Sequence, residues 1–497
     1  MCNLLRMRLL VTLLVTSPLL VRAQSGTSVA SGAAMARDSA PAIGSAAATT
    51  AEKKKAAVRP DFKTLRFDES WPRVAAPRQW DDVIKAIPLA PHLALTLGGQ
   101  VRAREEFADA FNLTTASDRF GLSRTLFHGD LQFGGAARGY LRVYGEYRDA
   151  QAQGRDLPGG TRPSDGDRSD VENLFGEVGI GRSFVRVGRQ EVISGRERLI
   201  GVPDWVNNRR GFQGARAVLV RGKLSLDLLD ARPMVVRQTA PNLPDSTTRF
   251  VAVTLGSAPG ATPLAHGVPA IWQAYYYDQR ITTASAIHRQ TFGGRAAWTW
   301  AGTSKSSQSY GFESESAVQR GTDGTRLISA WFWTAEVQTQ WRGVHGAPTL
   351  AFGVEEASGD GNATDTRLQS FNTLYPAAHA HGGYADVLGR PNARELHVIS
   401  TWEPIRVVSL RASVHRFDRL NLADGIYNKQ NTIFRAASGS TERHAGDEVD
   451  LTGSWSATRH LKMIFGHAWV QPGAFLRQTP GGAIAGRWGF LGTAFTF

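Results

Sequence analysis

Residues 138–148 read RGYLRVYGEYR, and their side chains alternate in character along the chain. Arg142, Tyr144 and Glu146 fall on one face of an extended backbone, whereas Leu141 and Val143 fall on the other. Because only a two-residue period separates two faces in this way, the segment is predicted to be a β-strand with one charged and one apolar face.

The same alternation recurs from Leu93 to the C-terminus. Further segments of this kind are residues 97–107, 184–190, 293–300, 326–341, 395–402, 407–417, 448–455, 461–470 and 488–497. Turn-rich clusters separate them at residues 158–170, 256–269, 321–325, 359–365 and 472–482. At roughly 22–25 residues per strand and connection, this region predicts about 16–18 strands.

Two all-β architectures contain alternating strands. A soluble sandwich turns its apolar faces inward, whereas an outer-membrane barrel turns them toward lipid and its polar faces toward a lumen. The polar faces mix Arg with Glu, Trp and Tyr lie near strand ends, and the last strand sets Leu491, Phe495 and Phe497 on one face. We therefore predict an all-β, transmembrane antiparallel β-barrel of about 18 strands, of the outer-membrane porin type.

The first 23 residues have the organisation of a signal peptide. Arg6 and Arg8 precede an apolar run at residues 9–21, and Ala23 ends a small-residue cleavage site. The chain has 57 Lys and Arg against 44 Asp and Glu, and its one cysteine, Cys2, excludes a disulfide framework. Cleavage would remove three arginines and lower the net charge from +13 to +10, with no cysteine left. Residues 24–91 are predicted to be a low-complexity linker and an irregular periplasmic lead-in, and residues 92–497 the barrel.

Three segments together resemble the alginate export family of Gram-negative outer-membrane barrels. Residues 170–218 contain GRQE at 188–191, RLIG at 198–201, DW at 204–205 and NRR at 208–210. Residues 356–389 contain ASGDGN at 357–362, FNTLYP at 371–376 and GGYAD at 382–386. The third segment contains GDEVDL at 446–451, GHAW at 466–469 and PG at 472–473.

This resemblance implies an 18-stranded monomeric barrel that passes an anionic uronate polymer by passive diffusion, with a periplasmic turn and an extracellular loop narrowing the pore. Arginine suits such a path because its planar guanidinium binds carboxylates in a bidentate manner and stays charged. Glu106, Glu146 and Glu177, interspersed with the arginines, would weaken each site so that the polymer can leave it.

Arginines on the polar faces are the candidate lumen residues. We assign to the lumen Arg102, Arg104, Arg142, Arg186, Arg216 and Arg295, and to a possible pore mouth Arg198, Arg209 and Arg210. The alternatives are that the first group pairs with Asp or Glu on neighbouring strands and stiffens the wall, and that the second group, with Arg196, lies in a solvated loop.

Other functions have weaker support in the sequence. No local motif indicates catalysis, no cofactor or metal is expected, and His379 and His381 are assigned to a solvent-exposed loop. Export argues against nucleic acid as the partner of the positive charge. The expected partners are outer-membrane lipid, an anionic polysaccharide or small anionic solute, and the insertion machinery that reads the C-terminal Phe497. The alternatives to an anion-selective exporter are a general porin for small anionic or sugar solutes and a plugged structural or adhesion barrel.

Overall fold

The computed structural model describes residues 59–73, 79–157, 160–263, 268–301 and 308–497. The predicted signal peptide and most of the predicted linker lie outside the described residues. Among the described residues, no helix combines the length and the apolar character needed to cross a membrane.

Eighteen consecutive antiparallel strands form the body of the molecule. They are β1 (Leu93–Asp109), β2 (Asp118–Gly135), β3 (Gly139–Gln153), β4 (Asp167–Ile180), β5 (Ser183–Gln190), β6 (Phe212–Arg221), β7 (Leu224–Val235), β8 (Thr248–Ser257), β9 (Ile271–Ile281), β10 (Ile287–Ala301), β11 (Gln308–Asp323), β12 (Arg326–Trp341), β13 (Thr349–Ala357), β14 (Ala393–Ile405), β15 (Val408–Arg419), β16 (His444–Ser456), β17 (Leu461–Pro472) and β18 (Gly486–Thr496).

The sheet closes on itself, because β1 pairs with β18 as well as with β2. In the closing ladder Gln100 lies opposite Thr496, and Asp109 lies opposite Arg487. Closure leaves no unpaired edge, which is the condition for a sheet to span a membrane. The predicted closed barrel of about 18 antiparallel strands is confirmed.

The two faces of each strand differ in exposure as the alternation predicts. On β1, Val101 is 44% exposed while the next residue, Arg102, is 6% exposed. On β3, Leu141 and Val143 are exposed, while Tyr144 is buried. Apolar residues therefore cover the outer surface, where lipid would lie, and charged residues face the interior.

The two ends of the barrel differ in their connections. The short-turn end contains both the start of β1 and the end of β18, and tight turns at residues 136–138, 181–182 and 222–223. The long-loop end contains three long connections, at residues 191–211, 358–392 and 420–443. Porins place short turns on the periplasmic side and long loops outside the cell.

Shorter elements lie before β1 and in the connections between the strands. The short strands are Ile87–Ala90, Leu243–Pro244, Arg367–Leu368, Ile426–Tyr427 and Ile433–Arg435, the 3₁₀ turns are Arg66–Asp68, Trp80–Ile84, Phe111–Leu113 and Ala378–Ala380, and the α-helix α1 is Ala474–Gln478.

The lead-in segment, residues 59–73, enters the barrel at the short-turn end. Arg66 donates hydrogen bonds to the carbonyl of Gly99 on β1 (3.1 Å) and to the carbonyl of Phe497 (2.9 Å). Phe67 packs edge-on against Tyr144 and Phe175 on the inner wall, with ring centroids 5.5 and 5.2 Å apart. The lead-in thus narrows the lumen at this end.

Candidate functional site: the lumen and its two cavities

The loop at residues 191–211 crosses the lumen from wall to wall. On one side, Arg102 of β1 donates hydrogen bonds to the carbonyls of Asp204 (2.6 Å) and Val206 (3.0 Å). On the other side, Arg198 in the loop pairs with Glu313 (3.0 Å) and Glu315 (3.2 Å) of β11. Because β1 and β11 lie on opposite sides of an 18-strand ring, the loop spans the interior.

A cluster of buried charges fixes the middle of this loop. The Arg209 guanidinium lies 2.8 Å from Glu191, 3.3 Å from Asp204, and 3.7 Å from both Glu146 and Glu172. Burial raises the pKa of Glu191, and Arg209 opposes that rise. Arg124 of β2, at 2.7 Å, and Arg209 lower the pKa of Asp204, although burial acts in the opposite direction. The cluster therefore depends on its arginines to hold several carboxylates inside the barrel.

The loop at residues 358–392 folds inward beside the first loop. Tyr375 accepts a hydrogen bond from the Gly201 amide and donates one to the Leu199 carbonyl, both at 2.9 Å, and the Ala377 amide donates to Glu197. Lys429, from the third long loop, donates to backbone carbonyls of the second loop and pairs with Asp386 at 2.9 Å. The three loops therefore form one body inside the long-loop half of the lumen.

Two large cavities, one at each end of the barrel, lie among the described residues. The cavity at the short-turn end has a volume of about 860 Å³ and is lined by the lead-in and by Arg142, Arg186 and Arg216. The cavity at the long-loop end has a volume of about 870 Å³ and is lined by the three loops, with Arg104, Trp205 and Arg210.

The cavities differ in charge. Nine Lys and Arg side chains and five carboxylates line the long-loop cavity. Five cations and five carboxylates line the short-turn cavity. The excess of positive charge is therefore concentrated at the long-loop end, where a low-dielectric wall would focus its field on an approaching anion.

The arginines assigned to the lumen all point inward, and five of the six pair with a carboxylate. Arg142 binds Asp130 at 2.6 Å, Arg186 binds Glu177 at 2.5 Å, Arg216 binds Asp227 at 2.7 Å, Arg295 binds Glu313 at 2.9 Å and Arg104 binds Glu106 at 2.6 Å. Arg102 donates hydrogen bonds to the backbone of the crossing loop. The geometry of these five arginines is thus the one expected if they pair with carboxylates of the barrel wall. Their contact with a passing solute stays a prediction.

The alternative of a solvated loop is wrong for three of the four loop arginines. Arg196, Arg198 and Arg209 are buried, because the loop folds into the lumen and their guanidinium groups meet glutamates of the wall. Arg210 differs from them: it donates to the Pro376 carbonyl at 3.1 Å, and among the described residues no carboxylate lies within ion-pair distance of it.

The assignment of His379 and His381 to a solvent-exposed loop is also wrong. His379 is 8% exposed, stacks on Trp205 with ring centroids 4.3 Å apart, and lies 2.9 Å from Asp386. His381 donates to the Arg196 carbonyl at 2.8 Å, and burial, followed by Arg198, holds its pKa well below the usual range. Both histidines belong to the packed interior because their loop is inserted.

Sequence reasoning missed Trp205 as a lumen residue. The Arg104 guanidinium stacks 3.6 Å from the centre of its indole ring, and Trp488 and Phe490 pack against its edge. The only sequence signal for Trp205 was its place in the pair DW at residues 204–205, within a segment that resembles the alginate export family.

A closed 18-strand barrel with charged walls and inserted loops defines an outer-membrane β-barrel of the porin type. The chain belongs to the alginate export family, whose family model matches residues 93–490. No curated protein sequence matches it significantly.

Solved porins of Pseudomonas aeruginosa share the fold. OpdO has 12% identity and a TM-score of 0.53, with 81% of this chain and 97% of that chain covered. OccK2 (OpdF) in complex with glucuronate has 11% identity and a TM-score of 0.53, covering 81% and 98%. OccK11 (OpdR) has 15% identity and a TM-score of 0.50, covering 81% and 96%. The family and the fold are those of transport porins.

Proposed function

We propose that this barrel passes an anionic, uronate-type polysaccharide across the outer membrane by passive diffusion, with the long-loop cavity as the region that attracts the anion. The observation that carries the proposal is the charge of this cavity, nine cations against five carboxylates. A uronate polymer has one carboxylate per sugar unit, so an array of arginines can bind it at several points. Carboxylates between the arginines weaken each contact and let the chain advance.

Arg210 is the residue we expect to contact the substrate most directly. Its guanidinium borders the long-loop cavity and makes one hydrogen bond to a carbonyl, at Pro376. A hydrogen bond between two charged groups contributes about 1.5–3 kcal/mol. Loss of that contact should raise the half-blocking concentration of a polyuronate about tenfold or more.

The test is the conductance of the purified barrel in planar lipid bilayers. The wild type should prefer anions, and a polyuronate should block it more strongly than a neutral glycan of equal length. Arg210→Gln should weaken both effects. Arg416→Gln is the matched control, because Arg416 lies on β15 near the same end and is exposed on the outer surface. Cation selectivity of the wild type, or equal blockade by the neutral glycan, would refute the proposal.

A second candidate is a general porin for small anionic or sugar solutes. The crossing loop favours it, because residues 191–211 divide the interior into two cavities of monosaccharide to oligosaccharide size. The porin OccK2, of the same fold, has been solved with glucuronate. A barrel that conducts glucuronate but is not blocked by polyuronate would support this candidate. A barrel that conducts nothing would support a plugged structural or adhesion role.

The remaining partners follow from the same proposal. We expect a monomer, exported by the N-terminal signal and inserted through recognition of the last strand and Phe497. Phe497 takes part in the closing seam, where its amide donates to the Gly99 carbonyl at 2.9 Å. Replacing Phe497 with Asp should reduce the amount of folded barrel in the outer membrane, measured by its heat-modifiable migration in gels.

A further inference from the structure

Three buried metal-ligating side chains meet on the inner wall of the barrel, away from both cavities. Glu395 and His397 lie two residues apart on β14 and so share its inward face. His415 on β15 lies directly opposite His397 in the strand register. One ligand atom from each side chain lies within 4.8 Å of the other two, and all three residues are buried.

The distances suit a tetrahedral metal ion. Glu395 Oε1 lies 2.7 Å from His415 Nδ1 and 3.4 Å from His397 Nδ1. Ligands at about 2.1 Å from a tetrahedral ion are about 3.4 Å apart. The edge between Glu395 and His397 therefore already has the required length. The edge between Glu395 and His415 is a hydrogen bond at 2.7 Å, and it would lengthen by about 0.7 Å as an ion replaced the shared proton.

An outer carboxylate lies beside each imidazole ring, and Glu336 hydrogen-bonds to that of His397. His397 Nε2 lies 3.3 Å from Glu336 Oε2, and His415 Nε2 lies 3.4 Å from Asp450 Oδ2. Asp450 in turn accepts a hydrogen bond from Ser413 at 2.9 Å. Metal-binding histidines commonly donate their second ring nitrogen to a carboxylate in this way, which fixes the ring and leaves the first nitrogen for the metal.

The wall also makes room for the site. Gly353 on β13 faces His397, and a Cβ atom at residue 353 would lie 2.1 Å from His397 Nε2. The absence of a side chain there lets the imidazole lie over the neighbouring strand. A cavity of about 30 Å³ borders Glu395, which is enough for a water molecule.

The site lies among buried carboxylates, whose negative charge favours a bound cation. Glu336, Glu395, Glu448 and Asp450 are all buried around the two histidines. Arg196 pairs with Glu336 at 3.1 Å. A dication would offset the charge of two of the three carboxylates that remain, and the donor set of two imidazole nitrogens and one carboxylate oxygen is one that Zn²⁺ prefers.

We propose that Glu395, His397 and His415 bind one divalent transition-metal ion, with Zn²⁺ the best fit and a water molecule as its fourth ligand. The ion would join β14 to β15 through side chains, independently of any substrate in the lumen. The competing occupant is a pair of protons, which would turn both histidines into imidazolium cations paired with the same carboxylates.

The experiment uses the full barrel in detergent, with any affinity tag removed, and Co²⁺ as the probe. The wild type should bind one Co²⁺ per chain, with the visible absorption of a four-coordinate site, and Zn²⁺ should displace it. His415→Gln should weaken binding about 100-fold or more, because even an outer-shell change commonly costs 10- to 100-fold. Gly353→Ala should weaken it as well by displacing the His397 ring, with all three ligands retained.

Control variants locate the site. His345→Gln, at an exposed turn, should leave Co²⁺ binding unchanged. His379→Gln tests a buried histidine outside the proposed site, which also has a carboxylate, Asp386, beside it. Saturable Co²⁺ binding that survives His415→Gln and is lost in His379→Gln would overturn the proposal. The absence of one-to-one binding to the folded wild type would also overturn it, because that is the result expected if the histidines hold only protons. Should His415→Gln fail to fold, X-ray absorption of the Zn²⁺-loaded wild type decides: two imidazoles in the coordination shell support the site, and none overturn it.

Discussion

Replacement of Arg209 by Gln should release the crossing loop from the lumen. In the wild type this guanidinium lies 2.8–3.7 Å from four carboxylates in the interior of the barrel, those of Glu146, Glu172, Glu191 and Asp204. Removing one partner of a buried ion pair costs about 3–5 kcal/mol, because the other partner keeps its charge without compensation. At about 1.4 kcal/mol per tenfold, the equilibrium between docked and undocked loop should shift by a factor of roughly 10² to 10⁴.

The defect should depend on pH. Burial already raises the pKa of Glu191, and loss of Arg209 removes the charge that opposes this rise. Protonation of Glu191 at low pH then removes the uncompensated charge. The loop of the variant should therefore be more weakly docked at pH 8 than at pH 5.

Two assays report the undocked loop. Single-channel recordings should contain openings of larger conductance, and protease added from the long-loop side should cut within residues 191–211. Arg249→Gln is the control, because Arg249 and Asp230 form an exposed pair of the kind that contributes about 0–1 kcal/mol. The double variant Arg209→Gln with Glu191→Gln should recover part of the docking. If Arg209→Gln behaves like Arg249→Gln in both assays, the account of the buried cluster is refuted.

Three further predictions concern the short-turn end. Changing Arg142 and Arg186 together to Ser should lower the anion preference, measured by reversal potentials, because Glu177 then faces the cavity without a cation. Phe67→Ala should raise the conductance, measured in bilayers, because its ring fills part of the lumen. Burial lowers the pKa of Lys85 to about 8, while an unfolded lysine stays protonated up to about 10.4. Docking of the segment that contains Lys85, residues 79–92, should therefore strengthen as pH rises from about 8 to 10, measured as protection of that segment from protease.

An unchanged reversal potential would place Arg142 and Arg186 away from the ion path. Equal conductance of Phe67→Ala and wild type would mean that the lead-in leaves the path open. The same pH profile in Lys85→Met would assign the change in protection to another group.

The strands were predictable because lipid and lumen impose opposite requirements on adjacent residues. The segment 138–148 lies almost entirely within β3, and 184–190 lies within β5. The inward orientation of Arg142, Arg186 and Arg295 followed from the same parity. No other property of these positions was needed to place them, since the side chain on a strand has only two directions in which to point.

The interior could not be predicted from the same signal. Arg198 and Glu313 are 115 residues apart, and nothing in their local sequence distinguishes a loop arginine that meets a wall glutamate from one that meets water. His397 and His415 likewise become a pair only through the register of β14 and β15. Periodicity describes a strand, whereas loop insertion and cross-strand pairing depend on contacts between distant parts of the chain.

The contacts of Arg66 have a consequence for the order of assembly. Its two carbonyl acceptors are Gly99 on the first strand and Phe497, the residue that follows the last strand, and Arg66 and Phe497 are 431 residues apart in the chain. This binding site exists only once the two ends of the sheet have met, so the lead-in docks after the cylinder has closed. Protection of the lead-in from protease therefore reports completion of the barrel. The lead-in binds across the seam where the first strand joins the last.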